Sequence, residues 1–206
     1  MGVIITQLYH NVIILLNLLV NVPDESKRHP LKSPPEPTKL FFVSVAPPSG
    51  GTYFWDESKP DSLRNGLFKA IEEATGEQFQ NVDEFRDAGY FLVPAVKCPS
   101  EKNGKDHNNP IKKAKENCSK YLRDELEVSG AKRILALGKV PMTAISIALG
   151  LETIPKNVAD YHQKLWPSNI SGRSVLVAGT YFAGAYRHNG FGKVVETIKW
   201  FIEQNP

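Results

Sequence analysis

The chain has 206 residues, 41% hydrophobic and 23% charged, with fifteen glycines and fifteen prolines. These proportions belong to a globular chain able to bury a full core, and they exclude disorder, collagen or coiled coil as a reading of the whole. A net charge of +3 permits nucleic-acid binding without demanding it, and two cysteines, Cys98 and Cys118, make neither a disulfide framework nor a complete zinc site, which points to a reducing compartment.

The stretch from Val3 to Val22 is strongly apolar but is broken by Gln7, His10, Asn11 and Asn17, with no Lys or Arg before it. It lacks the basic start and small-residue cleavage site of a secretory signal. Ile4, Ile5, Leu8, Val12, Leu15, Leu16 and Leu19 recur at helical spacing, which predicts a packing helix rather than a membrane span. Residues 23–38 are rich in proline and charge and read as a linker. The expected organisation is therefore an N-terminal helix and linker over 1–38 and an α/β domain over 39–206.

Leu40 to Val45 reads as a buried strand, followed by a turn-rich run from Ala46 to Thr52. Asp61 or Ser62 caps a helix with Leu63, Leu67, Ala70, Ile71 and Ala74 on its apolar face, and Gly76 stops it. A short helical turn over Val82 to Asp87 leads to a second strand, Tyr90 to Val96. Residues 98–109 form a polar loop, and Pro110 opens a helix carrying Ile111, Ala114, Cys118, Leu122 and Leu126 on one side. Arg133 to Leu137 is a third strand, with a helix to Leu149 after Gly138. Residues 151–172 look irregular. Ser174 to Ala178 is a fourth strand, and a last helix carries Val194, Val195, Ile198, Phe201 and Ile202. Four short apolar strands alternating with helices predict a three-layer α/β/α fold around a four-stranded parallel sheet.

Ligands of such sheets bind beyond the carboxyl ends of the strands. That rule singles out the segments after Val45, Val96, Leu137 and Ala178. After the first, Pro47 and Pro48 stiffen the backbone, and Ser49, Gly50 and Gly51 allow a phosphate or base to approach main-chain N–H groups. Tyr53, Phe54 and Trp55 beside Asp56 suit a flat ligand with a water positioned by the carboxylate; a tight turn whose aromatics cover the sheet edge is the alternative. After the second stand Lys97 and further lysines, either solvated surface or a phosphate-tracking face. After the fourth, Tyr181, Phe182, Gly184, Tyr186 and Arg187 combine aromatics, small residues and charge, a composition suited to entering a duplex or meeting phosphates. His107, His162 and His188 show no ligand spacing, and no dinucleotide, P-loop or nucleophile-elbow pattern is present.

Taken together, these segments resemble the uracil-DNA glycosylase superfamily over roughly residues 39–204. The resemblance rests on Val45-Ala46-Pro47-Pro48 followed by Phe54, on Ala95-Val96-Lys97-Cys98-Pro99, on Cys118 with Leu122, and on Leu137-Gly138-Lys139-Val140-Pro141, in that order. The branch it resembles is archaeal and thermophile-type. No cysteine precedes Cys98, so the iron–sulfur cluster of some members is not expected, and neither a cofactor nor a metal is implied. Pro94 stands near the place of an Asn that reads the uracil edge, and Phe182-Ala183-Gly184 stands in place of His-Pro-Ser.

The resemblance implies base excision from damaged DNA, single- or double-stranded, in the cytoplasm or nucleoid. In that reading Asp56 is the catalytic carboxylate that orients water and offsets positive charge on the sugar. Val45, Ala46, Pro47, Phe54, Pro94 and Phe182 bind the base. Ser49, Gly50, Gly51, Lys97, Gly138, Lys139, Tyr181, Gly184, Tyr186 and Arg187 contact DNA. The missing His and Asn keep two alternatives open: a DNA-binding member that has lost catalysis, and a binder of free nucleotides or nucleobases.

Overall fold

The computed structural model describes residues 32–47, 53–97, 112–152, 154–185 and 190–206. The anticipated N-terminal helix lies outside them, as do Ser49, Gly50, Gly51, Cys98, Tyr186 and Arg187. Among the described residues no helix is long and apolar enough to cross a membrane.

Among the described residues five strands make one sheet: β1 (Leu40–Ser44), β2 (Tyr90–Pro94), β3 (Arg133–Leu137), β4 (Trp166–Ile170) and β5 (Arg173–Thr180). Their order is β2-β1-β3-β5-β4. The apolar runs of β1, β2, β3 and β5 are parallel to one another and buried almost throughout, as strands covered on both faces must be. The expected four strands are thus present, and the sheet gains a fifth.

That fifth strand corrects the irregular reading of 151–172. β4 runs antiparallel to β5, Trp166 opposite Val177 and Ile170 opposite Arg173. Its exposure alternates, with Ile170 buried and Pro167 and Asn169 exposed. An edge strand needs only one apolar face and tolerates a proline, so its composition resembles a loop. Ser171 and Gly172 make the turn, both at positive φ (50° and 84°), which matches the twist of a tight hairpin. The Asn169 carboxamide oxygen accepts from the Gly172 N–H at 2.8 Å and closes it.

The helices are α1 (Ser62–Thr75), α2 (Val82–Asp87), α3 (Lys112–Val128), α4 (Lys139–Leu149) and α5 (Phe191–Ile202). α1 packs on α5 and α3 packs on α4. Right-handed crossovers put the first pair on one face of the sheet and the second on the other, giving three layers. Local chemistry sets the ends. The Asp61 carboxylate accepts the Arg64 N–H at 2.6 Å and caps α1, and Gly76 ends it in the left-handed region. Asn81 caps α2 by accepting from the Glu84 N–H at 2.9 Å, while the Glu84 carboxylate reaches back to the Gln80 N–H at 2.8 Å. On α1, Leu67, Ala70 and Ile71 are fully buried, and burying Leu67 and Ile71 contributes about 1.5–3 kcal/mol each.

Candidate functional site

β1 sends its connection towards β2 on one side, while β3 lies on the other, so the crevice between the carboxyl ends of β1 and β3 is the switch point of the sheet. Val45, Ala46 and Pro47 leave β1 there, half-buried. Gly138 and Lys139 leave β3 there, and Gly138 starts α4 with no side chain capping its first turn. Beyond the strands, the Ala95 N–H donates to Ser44 (2.8 Å) and the Val96 N–H donates to Val45 (3.0 Å), so the rim stays paired past Pro94. Pro94 itself is buried as the last residue of β2, opposite Ser44.

The connection after β1 folds back over edge strand β2. The Trp55 indole N–H donates to the Leu92 carbonyl at 3.0 Å, and Trp55 lies against Phe91 and Phe85. Phe54 is only 4% exposed, with Trp55, Phe68 and Phe85 around it at centroid distances of 5.1, 6.2 and 5.3 Å. In this structure the ring is a core residue. Asp56 is half-buried, and its Oδ1 accepts from both the N–H (3.0 Å) and the hydroxyl (2.6 Å) of Ser58. This Asx-type turn fixes the carboxylate relative to its own loop.

Arg64 also holds that loop. It is 7% exposed, and its guanidinium donates to the carbonyls of Phe54 (2.9 Å), Asp56 (3.0 Å) and Lys59 (2.7 Å). The sequence reading missed it. The signal was an arginine on the buried face of α1, three and seven residues before Leu67 and Ile71.

Lys97 is not a free cation at the rim. Its ammonium donates to the Pro94 carbonyl at 2.6 Å and pairs with Glu125 of α3. Burial lifts the Glu125 carboxyl above its ordinary range, and the charge and hydrogen bond of Lys97 oppose the rise. Burial also raises the Tyr53 phenol, with the Glu125 charge adding to it, so Tyr53 stays protonated at neutral pH. Glu125 was likewise missed, although it falls on the same side of α3 as Cys118 and Leu122.

At the end of β5, Tyr181 is half-buried, Phe182 is 40% exposed and Ala183 is fully buried. Ala183–Ala185 form a 3-10 turn against α1. A side chain on Gly184 would meet the Phe182 ring at 2.6 Å, so the glycine lets that ring lie close over the turn. The first turns of α1 therefore touch both the Asp56 loop and the Phe182 loop.

A cavity of about 380 Å³ is lined by Asn65, Phe68, Lys69, Glu72, Gln78, Phe79 and Gln80. It contains none of the anticipated site residues. α1 runs back from the carboxyl rim, and the segment after it meets the amino ends of β1 and β2, where Lys39 donates to Glu77 and Phe79 lies against Tyr90, away from the switch point. Among the described residues no group of three or more His, Cys, Asp or Glu is placed to hold a metal.

A family model described as the uracil DNA glycosylase superfamily matches residues 31–195. A type-5 uracil-DNA glycosylase of Pyrobaculum aerophilum is 27% identical over 166 residues, which is 78% of this chain and 67% of that protein.

Proposed function

Because this chain belongs to the uracil-DNA glycosylase superfamily, we propose that it is a DNA glycosylase that hydrolyses the bond between a deaminated base and its sugar. The observation that carries the reading is Asp56: a half-buried carboxylate on the connection after β1, held in a fixed turn by Ser58. The type-5 relative supports DNA as the partner and uracil as one base.

A damaged nucleotide rotates out of the strand into the crevice at the carboxyl rim. Val45, Ala46 and Pro47 face the base, and the Val45 and Ala46 N–H groups stabilise the negative charge that develops on its oxygen. Pro94 bounds the crevice at the end of β2, while Phe54, enclosed by Trp55, Phe68 and Phe85, supports the loop from the core rather than stacking openly on the base. Asp56 orients the attacking water and offsets the positive charge that grows on the sugar. Ser49, Gly50, Gly51, Gly138, Lys139 and Arg187 hold phosphates, and Tyr181, Phe182, Gly184 and Tyr186 fill the gap in the stack. Lys97 serves this site through its tie to Pro94 and Glu125 rather than by contact with phosphate. No lysine acts as nucleophile, so the product is an abasic site and not a cut strand.

Phe182-Ala183-Gly184 supplies no imidazole to the leaving base. Loss of such a donor costs about 2.7–4 kcal/mol of transition-state stabilisation, which describes a slow enzyme with a permissive pocket. Hypoxanthine and xanthine therefore stand beside uracil as substrates.

Single-turnover release from oligonucleotides carrying uracil, hypoxanthine or xanthine tests the proposal. Release from the native chain, with strand cleavage appearing only after alkali, and a fall of about 10²–10⁴-fold in Asp56→Asn are the expected results. Undiminished release by Asp56→Asn removes that residue from the mechanism. DNA binding without release from any lesion makes the chain a non-catalytic member of the superfamily.

A further inference from the structure

We propose that Arg64 is a positioning residue for base excision: its guanidinium sets the backbone of residues 54–59 and so aims the Asp56 carboxylate. The proposal rests on the glycosylase reading above. Its evidence is separate from that reading, because it comes from where a buried charge directs its hydrogen bonds.

An arginine is seldom buried without a carboxylate beside it. Arg64 is 7% exposed, and no carboxylate pairs with it among the described residues. Its cost of burial is met instead by three main-chain carbonyl dipoles, all from one short stretch of chain. One terminal nitrogen is shared by Phe54 and Asp56, and the other reaches Lys59. These carbonyls bracket the residue whose carboxylate matters. The planar fork fixes their directions as well as their distances, which a flexible ammonium cannot do.

Three further contacts complete the frame. The Asp56 N–H donates to the Tyr53 carbonyl at 2.9 Å, Ser58 holds Oδ1, and the Arg64 N–H is bound to the Asp61 carboxylate at 2.6 Å. The loop is thus stitched to the first turn of α1 from both ends, with Arg64 as the central fastening. The same helix supports the turn at Ala183–Ala185. Through Arg64 the Asp56 loop and the Phe182 loop share one rigid base.

The test compares Arg64→Lys and Arg64→Ala with the native chain and with Asp56→Asn. Misplacement of a reacting group by about 1 Å costs on the order of 10²-fold in rate, so single-turnover release should fall by about that factor. Affinity for uncleaved DNA should change by less than about threefold, because no phosphate contact is assigned to Arg64. Methylguanidinium added to Arg64→Ala should restore part of the rate. Amide hydrogen exchange should accelerate in residues 54–59 and stay slow in residues 67–75. Where Arg64→Ala does not fold, Arg64→Lys carries both measurements.

An unchanged rate in an active native background overturns the inference while the glycosylase reading stands. So does a loss of rate matched by an equal loss of affinity and unmoved by methylguanidinium. Unchanged exchange in residues 54–59 overturns it whether or not the native chain releases a base. A native chain that releases no base, with exchange accelerated as expected, refutes the glycosylase reading and leaves Arg64 fixing the loop but serving no excision.

Discussion

The Ala183 carbonyl oxygen lies 2.0 Å from where a Cβ would stand on Gly66, so the turn after β5 sits directly on the backbone of α1. No side chain fits there, and the obstacle is main chain rather than a movable side chain. Gly66→Ala should displace residues 183–185 at a cost of about 1–3 kcal/mol, the range for overpacking a tight contact. A lower melting temperature with weakened binding of lesion DNA, measured on the same samples, is the expected pair of results.

Lys97 and Glu125 join the end of β2 to α3, with their side chains 18% and 21% exposed. Lys97→Met leaves a largely buried carboxylate without its cation. Breaking a fully enclosed pair costs about 3–5 kcal/mol; with part of each group still meeting water, roughly 2–3 kcal/mol is expected here. Denaturant unfolding should recover much of that loss in the double variant Lys97→Met with Glu125→Leu, which removes both charges.

Glu77 gives stability a dependence on acid. Burial pushes its carboxyl up, but hydrogen bonds from Lys39 and Tyr90, the Lys39 charge and Thr75 more than offset this, and the net position is below the ordinary 4.5. A depressed acid stabilises the fold above its unfolded pKa and loses that contribution as pH falls through the lower, folded value. Glu77→Gln should therefore lower the melting temperature at neutral pH. The gap from the native chain should narrow as pH drops below 4.5. A constant gap across that range contradicts the assignment.

Phe182 separates recognition from folding. At 40% exposure its removal should leave the melting temperature nearly unchanged, since surface substitutions typically stay within about 0.5 kcal/mol. If the ring stacks in the DNA, Phe182→Ala should weaken lesion binding by about 1–3 kcal/mol, the worth of one base–aromatic contact. Equilibrium binding to a uracil-containing duplex reads this directly.

The four parallel strands were legible because each is a continuous apolar run closed by a turn, as at Leu40–Ser44 and Arg133–Leu137. β4 was not, because Pro167, Ser168 and Asn169 carry turn chemistry and only Trp166 and Ile170 signal a face. Asp56 could be placed from its neighbours in sequence. Arg64 and Glu125 could not, since each acts on a segment tens of ångströms of chain away or on carbonyls that sequence does not mark. Lys97 looked like surface charge because its partner lies 28 residues further on. Phe54 looked like an open platform because periodicity says nothing of Phe68 and Phe85 closing over it.

Both outermost strands carry a proline, Pro94 in β2 and Pro167 in β4. A proline presents no amide hydrogen, so neither flank offers an intruding chain a complete ladder, and the Trp55 indole already occupies the Leu92 carbonyl on one of them. Among the described residues the sheet has five strands. Self-templated filaments seeded from its margins are disfavoured, because backbone pairing along either margin is interrupted at the proline.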